Sequence, residues 1–276
     1  MVLKKSDWNE IQRHELAYHL GKDKNRVPEF NIPYWKSLLK KIEPFVAVTE
    51  EMSVLEVACG CCGILMALDK GQLTGVDPLM DEYLEHFDYL RAAKPDWVCC
   101  AAENMEWPES FDLIFTINAL DHMLDPGEAI ARMDRYLRPG GHLVISLNCH
   151  VTDFFHGYYR RFYRYIDSFH PHHFRVPDVT AMLPGYHIRH IEDIDALYFP
   201  QLRQYREKVL KIKKIRWNKV LSYAFNPFKY PVAMARLFGG YRIHRSRDSH
   251  KPIFATYLFI LQKPAVSANG ENPLGI

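Results

Sequence analysis

Val54-Leu-Glu-Val-Ala-Cys-Gly-Cys-Cys-Gly63 runs from a short apolar strand into a turn of small residues and on toward a helix. Such a turn lets backbone N–H groups approach a ligand closely and sets a helix N-terminus beside it. Working outward, a second apolar run ends at Gly75-Val-Asp77, about twenty residues after Glu56. That is where a nucleoside-binding α/β unit positions a carboxylate for ribose hydroxyls. Short apolar runs then alternate with amphipathic stretches, the pattern of a parallel sheet covered by helices. Strands are predicted at Ser53–Val57, Gln72–Val76, Asp96–Ala101, Phe111–Ile117, His142–Leu147, His187–Ile194 and Pro252–Gln262. Helices are predicted at Ile64–Asp69, Asp81–Ala92 and Pro126–Leu137, the last capped by Asp125, with Pro126 in its first position and Pro139-Gly140 closing it. Before the first strand, Ile11–Leu20 and a stretch opening after Pro33 carry helical spacing and are expected to form an N-terminal cap over residues 1–50.

The segment VLEVACGCCG resembles the first motif of the class I S-adenosylmethionine-dependent methyltransferases, methyltransferase type 11-like, whose usual form is an acidic residue followed by G-x-G-x-G. CCAAENMEWPESFDLIFTINALDHMLDP resembles that family's adenine loop and fourth strand, and LDPGEAIARMDRYLRPGGHLVISL its following helix and fifth strand. The resemblance covers about residues 50 to 150. It implies a seven-stranded, mostly parallel, doubly wound α/β sheet, with S-adenosylmethionine as cofactor and S-adenosylhomocysteine as product. It further implies that Glu56, Ala58, Cys59, Gly60 and Gly63 hold the methionine moiety, and Asp77 with Pro78 the ribose. Ala102 and Glu103 would border the adenine, and Asn118 would flank the reactive centre. Ala58 and Cys62 stand where the family usually has glycine, so a positive φ at either would be strained. The spacing Ala58-x-Gly60-x-x-Gly63 also fits a nicotinamide-type fingerprint with one substitution. An NAD-dependent oxidoreductase is therefore the alternative, beside a chain that binds S-adenosylmethionine without transferring its methyl group.

Methyl transfer to a hydroxyl or an amine is an in-line displacement that needs the acceptor held close and, where a proton must leave, a base. His122, just past the fourth strand, is the first candidate base, and His173 of the His170-Pro-His-His173 cluster the second. The competing reading gives His122 a capping role. No metal is expected: adjacent cysteines at Cys59, Cys61 and Cys62 do not match a metal knuckle, and no carboxylate neighbours His170-Pro-His-His173 in the sequence.

Hydrophobic residues make up 48% and charged residues 25%, enough to build a core. Neither a membrane span nor a signal peptide is expected, and the six cysteines read as reduced thiols, so a cytoplasmic location is expected. The net charge of +2 is unevenly spread: residues 197–250 carry thirteen basic against two acidic residues. This segment is expected to form a basic helical lid inserted into a core of residues 51–196 and 251–263, with a disordered tail at 264–276. Such a lid suits capture of an anionic small-molecule or glycan-type acceptor, or peripheral contact with a membrane surface, while a nucleic-acid partner is not expected.

Overall fold

A computed structural model describes residues 2–108, 110–198, 200, 226–238, 241–242 and 251–265. Most of the basic segment, and residues 266–276 of the tail expected to be disordered, lie outside the described residues. Seven strands form one sheet: β1 (Ser53–Val57), β2 (Gln72–Asp77), β3 (Asp96–Cys99), β4 (Phe111–Ile117), β5 (Leu137–His150), β6 (His187–Asp193) and β7 (Phe254–Gln262). Their order is β3-β2-β1-β4-β5-β7-β6. The pairs β1–β2, β1–β4, β2–β3 and β4–β5 are parallel. β7 runs antiparallel between β5 and β6. The expected α/β sheet is therefore present.

Burial explains why the central strands read so clearly. All five residues of β1 are buried, as are the last five of β4. A strand covered on both faces reads as an unbroken apolar run. One face packs Leu55, Val57, Ile114, Leu143 and Ile145 against α5 (Pro126–Tyr136), and the other packs Val54, Leu113, Phe115 and Val144 against α2 (Val27–Ile42). Asp125 caps α5 as expected, its carboxylate accepting from the N–H groups of Gly127 and Glu128 at 3.0 and 3.4 Å.

Three elements differ from expectation. The helix expected to open after Pro33 begins instead at Val27, with Pro28 in its first turn and Pro33 inside it. The predicted Asp81–Ala92 helix is broken into α3 (Met80–His86) and α4 (Asp88–Arg91), because Phe87 takes extended backbone angles and is fully buried beside Met80, Tyr83 and Leu90. β5 is longer than the apolar core of its sequence. It passes straight through Pro139-Gly140, where Gly140 supplies a φ of 82°, and pairs with β7 as far as His150.

Glu56 ties the first strand to the turn that follows. Its side chain is buried beneath the loop and accepts from the Ile64 and Leu65 N–H groups at 2.9 and 3.1 Å, at the start of a short 3-10 turn, Ile64–Ala67. Burial, aided by the nearby Asp77, pushes its carboxyl up to about 7 against the pull of those two donors. Gly63 must be glycine because a Cβ there would lie 2.2 Å from Glu56 Oε2. Replacing Gly63 by Ala is expected to evict that carboxylate and strand two buried N–H groups. Hydrogen bonds to charged groups are worth roughly 1.5–3 kcal/mol each, so a loss of about 3 kcal/mol or more is expected in urea unfolding. A loss below about 1 kcal/mol would contradict this packing.

Candidate functional site

The carboxyl ends of β1, β2 and β4 open into a cleft of about 220 Å³. Loops beyond strand ends at a reversal of strand order are where open α/β sheets bind ligands. After Val57 the chain turns through Ala58 at φ 56° and Gly60 at φ 60°. Ala58 thus occupies the left-handed region that a Cβ disfavours, whereas Cys62 does not. Strain of this kind persists where the surroundings over-determine the backbone. Here Cys59 N–H donates to the Val76 carbonyl at 3.1 Å, and Gly60 N–H donates to Asp77 Oδ2 at 2.9 Å. The other oxygen of Asp77 accepts from Leu79 N–H at 2.9 Å. Burial raises the Asp77 carboxyl above its ordinary range, opposed by those two N–H donors.

The structure brings Ala58, Cys59, Gly60, Asp77, Pro78, Ala102, Glu103, Asn118 and His122 to the walls of this one cleft. Asn118, directly after β4, takes φ 52°, and its Oδ1 is buried without a hydrogen-bond partner. Glu103 Oε1 accepts from Asp125 N–H at 3.0 Å, tying the loop after β3 to the start of α5. Glu56 and Gly63 are placed elsewhere: both lie under the turn, facing its backbone and not the cleft. His173 is also apart from the cleft. Its Nδ1 lies 3.2 Å from His150 Nε2, its ring packs near Tyr159 and Phe254, and burial lowers its pKa to about 4.

Sequence reasoning missed the contribution of α1 (Lys5–Leu20), whose Trp8, Gln12, Glu15 and His19 close one side of the cleft. The i,i+4 spacing of Glu15 and His19 was the available signal, but it does not say what the face meets. In the fold, His19 Nδ1 lies 3.1 Å from Cys61 Sγ and 2.6 Å from Lys22 Nζ. Burial alone would raise the Cys61 thiol, but His19 and Lys22 outweigh it and bring it down to about 7. Burial likewise disfavours ionised Glu15, yet the hydrogen bond to His19 and the neighbouring His122 and His170 hold its carboxyl at about 2. The cleft therefore combines a backbone turn, a fixed carboxylate at the end of β2, and a cluster of ionisable groups at its α1 side.

Residues 55–145 match the family model described as a methyltransferase domain. The tRNA U34 carboxymethyltransferase of Pseudoalteromonas translucida is 30% identical over 120 residues, covering 41% of this chain and 35% of that protein. The ubiquinone biosynthesis O-methyltransferase of Pseudomonas putida is 34% identical over 100 residues, covering 34% of this chain and 43% of that protein. The chain thus spans about two fifths of the length of these curated relatives. Among solved structures, the Haemonchus contortus phosphoethanolamine N-methyltransferase 2, in complex with phosphomonomethylethanolamine and S-adenosylhomocysteine, superposes with a TM-score of 0.55 at 16% identity. That superposition covers 83% of this chain and 53% of that one. The strand order and the superposition make the fold that of the class I methyltransferases.

The strained turn gives a test of its own. A left-handed φ costs a non-glycine residue roughly 1–2 kcal/mol, and the extra unfolded freedom of glycine takes back roughly 0.4–1. Ala58→Gly is expected to raise stability by about 0.5–1 kcal/mol in urea unfolding, and a fall in stability would contradict the assigned backbone.

Proposed function

We propose that the cleft binds S-adenosylmethionine and that the chain transfers its methyl group to an oxygen or nitrogen of a small-molecule acceptor seated at the His122 end. The observation that carries this reading is Asp77: its carboxylate stands at the end of β2 in the cleft wall, and each of its oxygens has so far accepted only one backbone N–H. A carboxylate oxygen can accept more than one hydrogen bond, so both remain able to receive a ribose hydroxyl. The unpartnered Oδ1 of Asn118 gives the opposite wall a buried acceptor that a ligand's donor would satisfy. These acceptor sites fit the hydroxyl and amine donors of a nucleoside cofactor, and the structural relative that holds S-adenosylhomocysteine supports the same choice.

When bound, the cofactor supplies an electrophilic methyl group on a sulfonium. This chain's residues then have three tasks. The turn at Ala58–Gly60, held by Asp77, fixes the cofactor's position, and much of the rate advantage of such a displacement comes from positioning. Trp8 and Trp35 wall the cleft and limit water. His122, whose Nδ1 is buried without a hydrogen bond, faces the acceptor end. As the C–S bond breaks and the new C–O or C–N bond forms, the acceptor's proton leaves there.

The acceptor's class is part of the proposal. The structural relative holds a phosphorylated amine, and the excess of basic residues at 197–250 favours an anionic group. The tRNA-modifying relative makes RNA the competing outcome. Methyl-labelled S-adenosylmethionine, incubated with the protein and either a small-molecule extract or total tRNA, separates the two by which pool takes up label. In that assay His122→Ala is expected to lower turnover by about 10² or more with cofactor affinity intact. Normal turnover would move the acceptor away from His122.

Asp77 gives the sharpest test of the cofactor. Charge-assisted hydrogen bonds are worth roughly 1.5–3 kcal/mol each, and every 1.4 kcal/mol is tenfold in affinity. Asp77→Ala is expected to weaken S-adenosylhomocysteine binding by about tenfold to a few hundredfold in calorimetry, with NAD titrated in parallel. Wild-type affinity in the variant would show the ribose to be elsewhere, and NAD binding without sulfonium or thioether binding would favour the oxidoreductase reading.

A further inference from the structure

Asp121, His122 and His170 each offer a ligand atom, and the three atoms lie within 4.8 Å of one another. They come from two chain segments far apart in sequence. Asp121 and His122 sit in the 3-10 turn Leu120–His122 just after β4, and His170 in the loop after α6 (Asp153–Ile166). We propose that they form a binding site for a divalent metal ion at the acceptor end of the cleft.

Two observations point to a cation. The first is Asp121 Oδ1, which is buried and accepts no hydrogen bond, in a residue only 7% exposed. A buried carboxylate oxygen ordinarily finds a donor or a metal, and His122 Nε2, 3.9 Å from this one, is beyond hydrogen-bond range. The second is the orientation of the histidines. Asp167 Oδ1 holds His170 Nδ1 at 2.7 Å, which leaves Nε2 as the nitrogen that can ligate. Glu15 Oε1, 3.8 Å from His122 Nδ1, is too far to hydrogen-bond it, so His122 is free to present either nitrogen. A carboxylate behind the imidazole, as Asp167 stands behind His170, is the arrangement that orients histidines at metal centres.

Two nitrogens and one carboxylate oxygen suit zinc, manganese, iron or cobalt better than magnesium or calcium. Bonds to such ligands are about 2.0–2.2 Å, which puts ligand atoms roughly 3 to 3.5 Å apart. The 3.9 Å between Asp121 and His122 must therefore close by about half an ångström, and a separation at the 4.8 Å limit by about 1.3 Å, through side-chain rotation. Three protein ligands leave coordination positions open. In the proposed reaction an acceptor oxygen would take one of them, so the substrate class becomes a hydroxyl compound, favoured if a second oxygen stands beside the first. With His122 taken up as a ligand and not as the base, metal binding would instead ease loss of the hydroxyl proton to water, after which the oxygen forms its bond to the methyl carbon as the C–S bond breaks.

This use of the ion rests on the methyl-transfer reading, but its binding does not, and the two can fail separately. Protein stripped with chelator is titrated with Co²⁺ alone, followed by its visible absorption and by calorimetry, with no cofactor present. One equivalent is expected to bind to the wild-type chain, and Asp121→Asn and His170→Ala are each expected to weaken it by about tenfold to a hundredfold or more. His190→Ala, outside the cluster, serves as the control and is expected to bind like wild type. Circular dichroism and S-adenosylhomocysteine affinity, measured on the same variants, show that they are folded. Asp121→Asn changes no volume, and it keeps the test valid if His170→Ala does not fold. No stoichiometric binding by the wild-type chain, or equal binding by wild type and Asp121→Asn, would overturn the site and leave the cluster as an ion-pair network. Cobalt binding in a chain that binds no S-adenosylhomocysteine would leave the site standing and reject the cofactor.

Discussion

The shared carboxylate of Asp77 is the interaction on which the cleft depends. One oxygen holds Gly60 N–H and the other Leu79 N–H, so a single side chain joins the turn after β1 to the turn after β2. Besides it, the turn that carries the left-handed Ala58 is held by the bond from Cys59 N–H to the Val76 carbonyl. Glu56 secures the far side of the same turn from beneath. The two acidic residues therefore do different work from nearly adjacent positions: Glu56 is sealed inside and shapes the loop, and Asp77 shapes the loop while still facing the cleft. A ligand-binding turn built in this way is rigid before any ligand arrives, which lowers the ordering cost of binding.

Much of this was legible in the sequence, for identifiable reasons. The strands β1 and β4 are buried on both faces, and their composition announces it. The place of Asp77 on the cleft wall was legible because it ends the second strand beside the small-residue turn, whereas its hold on the Gly60 and Leu79 N–H groups was not. Glu56 shows the limit. The residue type was recognised, yet no pattern in the chain tells whether an acidic side chain at a strand end turns toward the ligand or under the loop, and the collision between Gly63 and its carboxylate makes that choice only in three dimensions. Phe87 similarly breaks a helix for the sake of burial that local spacing does not reveal.

The grouping of Glu15, Asp121, His122, Asp167 and His170 was invisible for a related reason. The members come from α1, from the turn after β4 and from the loop after α6, so no local motif carries them. The absence of an acidic neighbour beside His170-Pro-His-His173 in the sequence argued against a metal, whereas the fold supplies Asp121 from a segment nearly fifty residues earlier. His173, expected to act, is instead packed among His150, Tyr159 and Phe254, where burial disfavours its protonated form.

A crystal structure of the chain grown with S-adenosylhomocysteine tests the central claim most directly, because it reads the cofactor's place without needing an acceptor. The account predicts the ribose hydroxyls within hydrogen-bond distance of Asp77, the sulfur between the Ala58–Gly60 turn and Asn118, and Asn118 Oδ1 no longer without a partner. Cofactor bound with Asp77 untouched, or bound outside this cleft, would contradict it.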